Sequence, residues 1–330
     1  MPYRLGQDWY MKRGLVLGGG GVLGAAWSVG ALCALERYLD LDVRDFDHLV
    51  GTSAGSVLAA LIGSGISPTQ LRDHQLGGSV EGPLADITWS YDTSTGGHRP
   101  PRPRIGVGSP GLVARNARRL RRMPPTAVLS ALVPEGRGSL AGVRTMIEAL
   151  TPDGGWSPHP GLWIVTMDYE TGHRVAFGRP GEPTASLADA VTASCSIPGW
   201  FSPVVIDGHR YIDGGAWSAT SADLLSGLGM DEVYVVAPMV SPQVDRPASL
   251  AGKLERRWRS RTTKRCMHEV AKLRADGAHV TVLGPSPDDL RAFGSNVMDV
   301  TRRLQVLDTS AWTTERALKR AARDDLADAG

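Results

Sequence analysis

With 330 residues, 42% apolar and 21% charged side chains, the chain has the composition of an ordinary globular protein with enough length for one large core. A formal net charge of +2 excludes a global attraction to nucleic acid or to anionic membranes, and no apolar run approaches the roughly 20 residues that span a bilayer. Three widely spaced cysteines, Cys33, Cys195 and Cys266, make neither a disulfide framework nor a metal cluster.

Residues 1–13 are polar and aromatic and lack the apolar core of a secretory signal. A cytoplasmic protein, or one held peripherally at a membrane, is therefore expected. Gly14 to Leu17 is a compact apolar run that reads as a strand, and Gly18 to Gly21 are four glycines in succession. The residues after them place Val29, Leu32, Leu35 and Leu39 on one stripe at helical spacing. Asp47 to Val50 is short enough for a buried strand. Gly51-Thr52-Ser53-Ala54-Gly55 then leads into Val57, Leu58, Leu61 and Ile62, again at helical spacing. Strands alternating with helices in this way predict an α/β fold, a central and mostly parallel sheet with helices on both faces.

Residues 64–160 change character. Pro, Gly and Arg dominate 96–125, periodicity is weak, and helix is expected only over 110–122 and 139–150. The stretch reads as an irregular basic insertion and as the most lid-like part of the chain. Regular patterning returns with strands at 162–167 and 174–177. Val204 to Ile206, Asp207-Gly208 and His209 to Ile212 predict a hairpin, because Asp-Gly accepts the positive φ angles of a tight two-residue turn. Residues 232–237 and 279–283 read as two more buried strands, separated by a long polar helix over about 250–276, and the C-terminal residues read as helical. The expected organisation is a catalytic domain over 12–240 that carries the insertion, with 241–330 completing or flanking it.

Three features bear chemistry. The first, Gly18 to Gly24, contains a GxGxxG pattern at Gly19, Gly21 and Gly24. Amides at a helix N-terminus could hold a pyrophosphate or the oxyanion of a tetrahedral intermediate. A dinucleotide fold wants an acidic residue about 20 positions on, at the end of the second strand. Glu36, Asp40 and Asp42 are near, but that strand runs into Ser53, which favours the oxyanion reading. The second feature is Ser53 itself, flanked by Gly51 and Gly55 in the strand–turn–helix setting of a nucleophile elbow. The helix dipole there would favour negative charge. The third is Asp213-Gly214-Gly215, closing the hairpin: either a turn aspartate or a carboxylate brought close to the serine by small neighbours. None of the eight histidines sits in an evident catalytic motif. The order Ser, Asp, His leaves only His268 and His279, which read as solvated or core residues.

Together the three features resemble the patatin-like phospholipase family, whose signature is a glycine-rich oxyanion loop, Gly-x-Ser-x-Gly and a distant Asp-Gly-Gly or Asp-Gly-Ala. A fourth stretch, Ala190 to Ser194 with Ile197 to Pro203, is also similar to the family. The resemblance covers 14–62 and about 160–240; the insertion and the C-terminal third match loosely. It implies a patatin-like three-layer α/β fold and a Ser–Asp dyad, with Ser53 attacking an ester carbonyl and Asp213 accepting its proton. The oxyanion donors it implies are the amides of Gly19, Gly20 and Gly21, with that of Ala54 after the nucleophile. Gly24, Gly51, Gly55, Gly214 and Gly215 support the motifs. The implied partner is a lipid or fatty-acyl ester cleaved in phospholipase A or lysophospholipase fashion, with no cofactor or metal. Leu23 stands where the family usually carries Lys or Arg, which weakens any preference for phospholipid over neutral ester. Alternatives are an esterase or acyltransferase on small or neutral acyl substrates, or a non-catalytic lipid- or nucleotide-binding regulatory protein.

Two arginine-rich runs complete the inventory: Arg115, Arg118, Arg119, Arg121 and Arg122, and the span Arg256 to Arg265 with Trp258 inside it. They read as solvated faces or as contacts to an anionic membrane; nonspecific nucleic-acid binding is a third reading, and no specific nucleic acid is expected. Cys195, near the proposed dyad, reads as a packing residue.

Overall fold

The computed structural model describes residues 10–328 except 80, 83, 84, 86–88, 92, 98, 117–122, 244, 246 and 248. Its strands are β1 (Arg13–Leu17), β2 (His48–Thr52), β3 (Leu162–Asp168), β4 (Arg174–Phe177), β5 (Val204–Ile206), β6 (His209–Asp213), β7 (Glu232–Val236) and β8 (His279–Leu283). They form one sheet in the order β5-β6-β3-β2-β1-β7-β8, with β4 paired to β3. The run from β3 to β8 is parallel, and β4, β5 and β6 are antiparallel. Central parallel strands are covered on both faces, so they read as unbroken apolar runs rather than as alternations. In β1, Leu15 and Leu17 face one core and Val16 the other.

On the first face lie α1 (Gly21–Leu39), α2 (Ala54–Gly63), α3 (Pro68–Gln75), α6 (Ala141–Leu150) and α7 (Leu187–Ser194), together with the C-terminal α9 (Pro287–Phe293) and α10 (Arg303–Asp328). The opposite face is covered by α8 (Leu250–Ala275), through Cys266, Val270 and Leu273. This is a three-layer α/β fold. α10 lies along α1 so closely that a Cβ on Gly30 would stand 2.0 Å from the Ser310 hydroxyl.

Residues 64–160 are more regular than their composition predicts. Besides α4 (Pro110–Asn116) and α6, which fall where helix is expected, the stretch carries α3 and α5 (Pro125–Leu132); residues 117–122 of the expected helix lie outside the described residues. α3 is only eight residues long and polar on average, so its periodicity is faint. What starts it is a capping box between Ser67 and Gln70 with Pro68 in the first turn. Val143, Met146 and Ile147 of α6 belong to the main core, so this part of the insertion is load-sharing structure. The predicted hairpin is present, with Asp207 and Gly208 at φ 48° and 78°.

β3 acts as a ruler for the site. Thr52, the last residue of β2, pairs with Val165, and Asp213, the last of β6, pairs with Thr166. Two ends that are remote in sequence therefore arrive at consecutive positions of one strand.

Candidate active site

Ser53 sits between β2 and α2 with φ 54° and ψ −126°, a backbone conformation that side-chain-bearing residues rarely adopt. The flanking glycines follow from close approach. A Cβ at Gly51 would lie 2.6 Å from the Ser56 Cα, and one at Gly55 would lie 2.0 Å from the Leu17 carbonyl oxygen. The strained turn is held by hydrogen bonds that the sequence does not advertise. The Ser53 N–H donates to Ser194 Oγ at 2.9 Å, and the Ser194 hydroxyl donates to the Val165 carbonyl at 2.7 Å. The Ser53 carbonyl accepts the Ser56 hydroxyl at 2.6 Å. Ser194 closes the family-like stretch after residue 190, but nothing distinguishes it there from any serine at a helix end.

The structure brings Asp213 to Ser53. Its carboxylate is buried and accepts the Gly215 N–H at 2.7 Å, and the Ser53 side chain is near enough to pull its pKa down. Burial pushes the Asp213 pKa up to about 6, against the opposing pull of the Ser53 side chain and the Gly215 amide. Gly214 is small for a reason, since a Cβ there would lie 2.5 Å from the Val165 carbonyl oxygen. Among the described residues, no histidine hydrogen-bonds to either side chain.

The glycine loop meets the serine from β1. A Cβ on Gly19 would touch the Ser53 Cβ at 3.0 Å, so only glycine leaves the nucleophile its room. One expectation needs correction here. The Gly19 N–H donates to the Ala219 carbonyl at 2.9 Å, so it is not available to an oxyanion. Gly20, Gly21 and Ala54, at the N-termini of α1 and α2, keep amides without a partner among the described residues. Gly20 and Gly24 are wedged against Pro238: a Cβ on them would stand 2.7 and 3.1 Å from its ring. The dinucleotide reading of the loop loses its ground, because Ser53 fills the space beside Gly19 and β2 ends on a hydroxyl. Leu23 is fully buried in the apolar core.

An apolar cavity of about 120 Å³ opens beside Ser53, lined by Val22, Ala25 and Val29 of α1 and by Val57 and Leu61 of α2. From Val22 to Val29 it follows α1 for about 10 Å, at 1.5 Å per residue. Cys195 also lines it, and burial pushes that thiol up to about 12, which leaves it protonated and inert. Among the described residues, no group of three or more His, Cys, Asp or Glu could hold a metal ion.

The second arginine run is not one solvated face. Arg256 is buried and pairs with Asp245 at 2.5 Å and with Glu255. Arg259, wholly buried, pairs with Glu255 and donates to the Pro238 carbonyl at 2.5 Å. Neither is free for a membrane. In the first run Arg115 is exposed; Arg118, Arg119, Arg121 and Arg122 lie outside the described residues.

A family model described as patatin-like phospholipase matches residues 15–226. Among solved structures, the crystal structure of VipD from Legionella pneumophila is similar at 14% identity, over 91% of this chain and 67% of that chain, with a TM-score of 0.37.

Proposed function

Since the chain belongs to the patatin-like phospholipase family, whose members are lipid acyl hydrolases, we propose that it cleaves fatty-acyl esters with Ser53 as nucleophile and Asp213 as its base. Asp213 takes the hydroxyl proton as Ser53 Oγ attacks the ester carbonyl. The oxyanion that forms accepts hydrogen bonds from the amides of Gly20, Gly21 and Ala54 at the positive ends of two helices. One such donor is worth about 3 kcal/mol of the barrier. The intermediate collapses, the leaving alcohol takes the proton from Asp213, and the acyl group remains on Ser53. Water then attacks the acyl-enzyme with Asp213 again as base, releasing the fatty acid.

The observation that supports this reading is a buried carboxyl, its pKa risen to about 6, that β3 brings beside the serine turn. An ordinary aspartate, near ~3.9, is too weak a base for a hydroxyl. The apolar cavity along α1 and α2 fits the alkyl chain, leaving the ester at the serine. A neutral acyl ester is the second reading of the substrate, favoured by Leu23, an apolar residue where the family usually carries a cation. None of the described helices is long and apolar enough to cross a membrane.

The test is labelling by a fluorophosphonate probe, followed by a panel of p-nitrophenyl esters, lysophospholipids, diacylphospholipids and triacylglycerols. Labelling should vanish in Ser53→Ala, and hydrolysis should nearly vanish in Asp213→Asn. Full activity of folded Asp213→Asn protein would remove the carboxylate from the mechanism.

A further inference from the structure

α8 is far longer than the sheet that it covers. Its 26 residues extend about 39 Å, against about 17 Å for the five residues of β7. Both ends of the overlap are pinned. At the C-terminal end, the Gly227 N–H, in the approach to β7, donates to the Asp276 carboxylate at 3.0 Å. At the other end, Arg259 donates to the carbonyl of Pro238, two residues past the end of β7. The overhang is therefore Leu250 to Trp258, about 13 Å of helix, and it projects past the strand ends that carry the glycine loop and Ser53.

The outward face of this overhang is apolar and basic together. Leu250, Leu254 and Trp258, one turn apart, are 84%, 72% and 43% exposed. Beside them Lys253, Arg257 and Arg261 are exposed, with Lys264 one turn further on, and none has an ion-pair partner among the described residues. The acidic residues of the helix turn inward. Glu255 is held by Arg256 and Arg259, and Glu269 is buried against Thr220 and the Ala222 amide. Leucine and tryptophan beside lysine and arginine on one face is the pattern of a helix that lies in a membrane interface.

We propose that the overhanging start of α8 docks the protein on an anionic lipid bilayer, with Leu250, Leu254 and Trp258 entering the headgroup boundary and Lys253, Arg257 and Arg261 meeting lipid phosphates. The choice of occupant rests on the lipid-hydrolase reading, but the charge pattern argues for it independently. A second copy of the chain would set like charges against each other. A nucleic acid backbone would leave the leucines in water.

The test is flotation of Ser53→Ala protein with vesicles of phosphatidylcholine alone and of equimolar phosphatidylcholine and phosphatidylglycerol. Binding is expected only to the second kind and should weaken with salt. Changing Lys253, Arg257 and Arg261 together to Gln should lower the partition coefficient on the order of a hundredfold, and Leu250→Ser with Leu254→Ser at least about tenfold. The same surface changes, made with Ser53 present, should leave hydrolysis of p-nitrophenyl butyrate unchanged, which separates lost docking from lost fold. Equal binding to both vesicles, no binding to either, or variants that bind like the parent would overturn the proposal. So would a dimer that the variants dissolve. If vesicle binding behaves as expected while no ester is cleaved, docking stands and the hydrolase reading falls.

Discussion

Asp213→Asn should do two opposite things, abolish turnover and stabilise the protein, and the second follows from one number. The amide keeps the shape of the carboxylate and can still accept the Gly215 N–H, but it cannot ionise. In the folded protein the carboxyl titrates at about 6, against 3.8 for a free side chain. Two units at about 1.4 kcal/mol each make ~3 kcal/mol. The sign is fixed by linkage: the folded state holds the proton more tightly, so this group stabilises it below about pH 4 and that stabilisation is lost as pH rises through about 6. Between about pH 5 and about pH 8 the wild-type protein should lose ~1.4 kcal/mol that the Asn variant does not lose. Urea unfolding of both proteins at these two pH values measures the difference directly. A gap between variant and wild type that stays constant across the window would refute the claim that burial holds this carboxyl at a high pKa.

The same group should govern catalysis. kcat/KM for a water-soluble ester should rise through about pH 6 and then level, since the base must be ionised; a profile flat from about 5 to about 7 would point to another base. Ser194→Ala leaves the Ser53 amide and the Val165 carbonyl without their shared partner. It should cost about 1–3 kcal/mol in unfolding free energy and reduce kcat more than it changes KM. Gly55→Ala drives a methyl into the Leu17 carbonyl, with a Cβ at 2.0 Å, and should lower stability by about 3 kcal/mol, read as a fall in Tm. Ala25→Trp fills the apolar cavity and should preserve hydrolysis of a butyrate ester while suppressing that of a palmitate ester, compared on one plate.

How legible these features are in the sequence depends on whether their cause is local. Ser53 stands out because the two glycines that the close approaches demand, Gly51 and Gly55, lie two residues either side of it, even though the carbonyl that Gly55 must avoid belongs to Leu17 on β1. The hairpin is readable from Asp207-Gly208 because the turn conformation restricts residue type on the spot. The glycine loop is harder. Its four glycines look alike, and what removes Gly19 from the set of free amides is the carbonyl of Ala219, which arrives by way of the sheet. Arg256 and Arg259 fail for the same reason. Their run looks like a charged surface until Asp245, Glu255 and Pro238 are placed around them. The start of α3 was written in Ser67, Pro68 and Gln70, but a helix of two turns leaves too short a pattern for periodicity to detect.

The position of β7 bears on how far the catalytic motifs could be moved. The family match stops at residue 226, short of the strand that borders β1 opposite β2 and whose last carbonyl receives the Gly18 amide. A fragment cut at that boundary would keep every signature residue and lose the buttress behind them. Its first strand would become a bare edge, open to pairing with another chain, and the prolyl ring braced against Gly20 would be gone. Grafting this chemistry onto another protein therefore means carrying a wall that contains none of the signature letters.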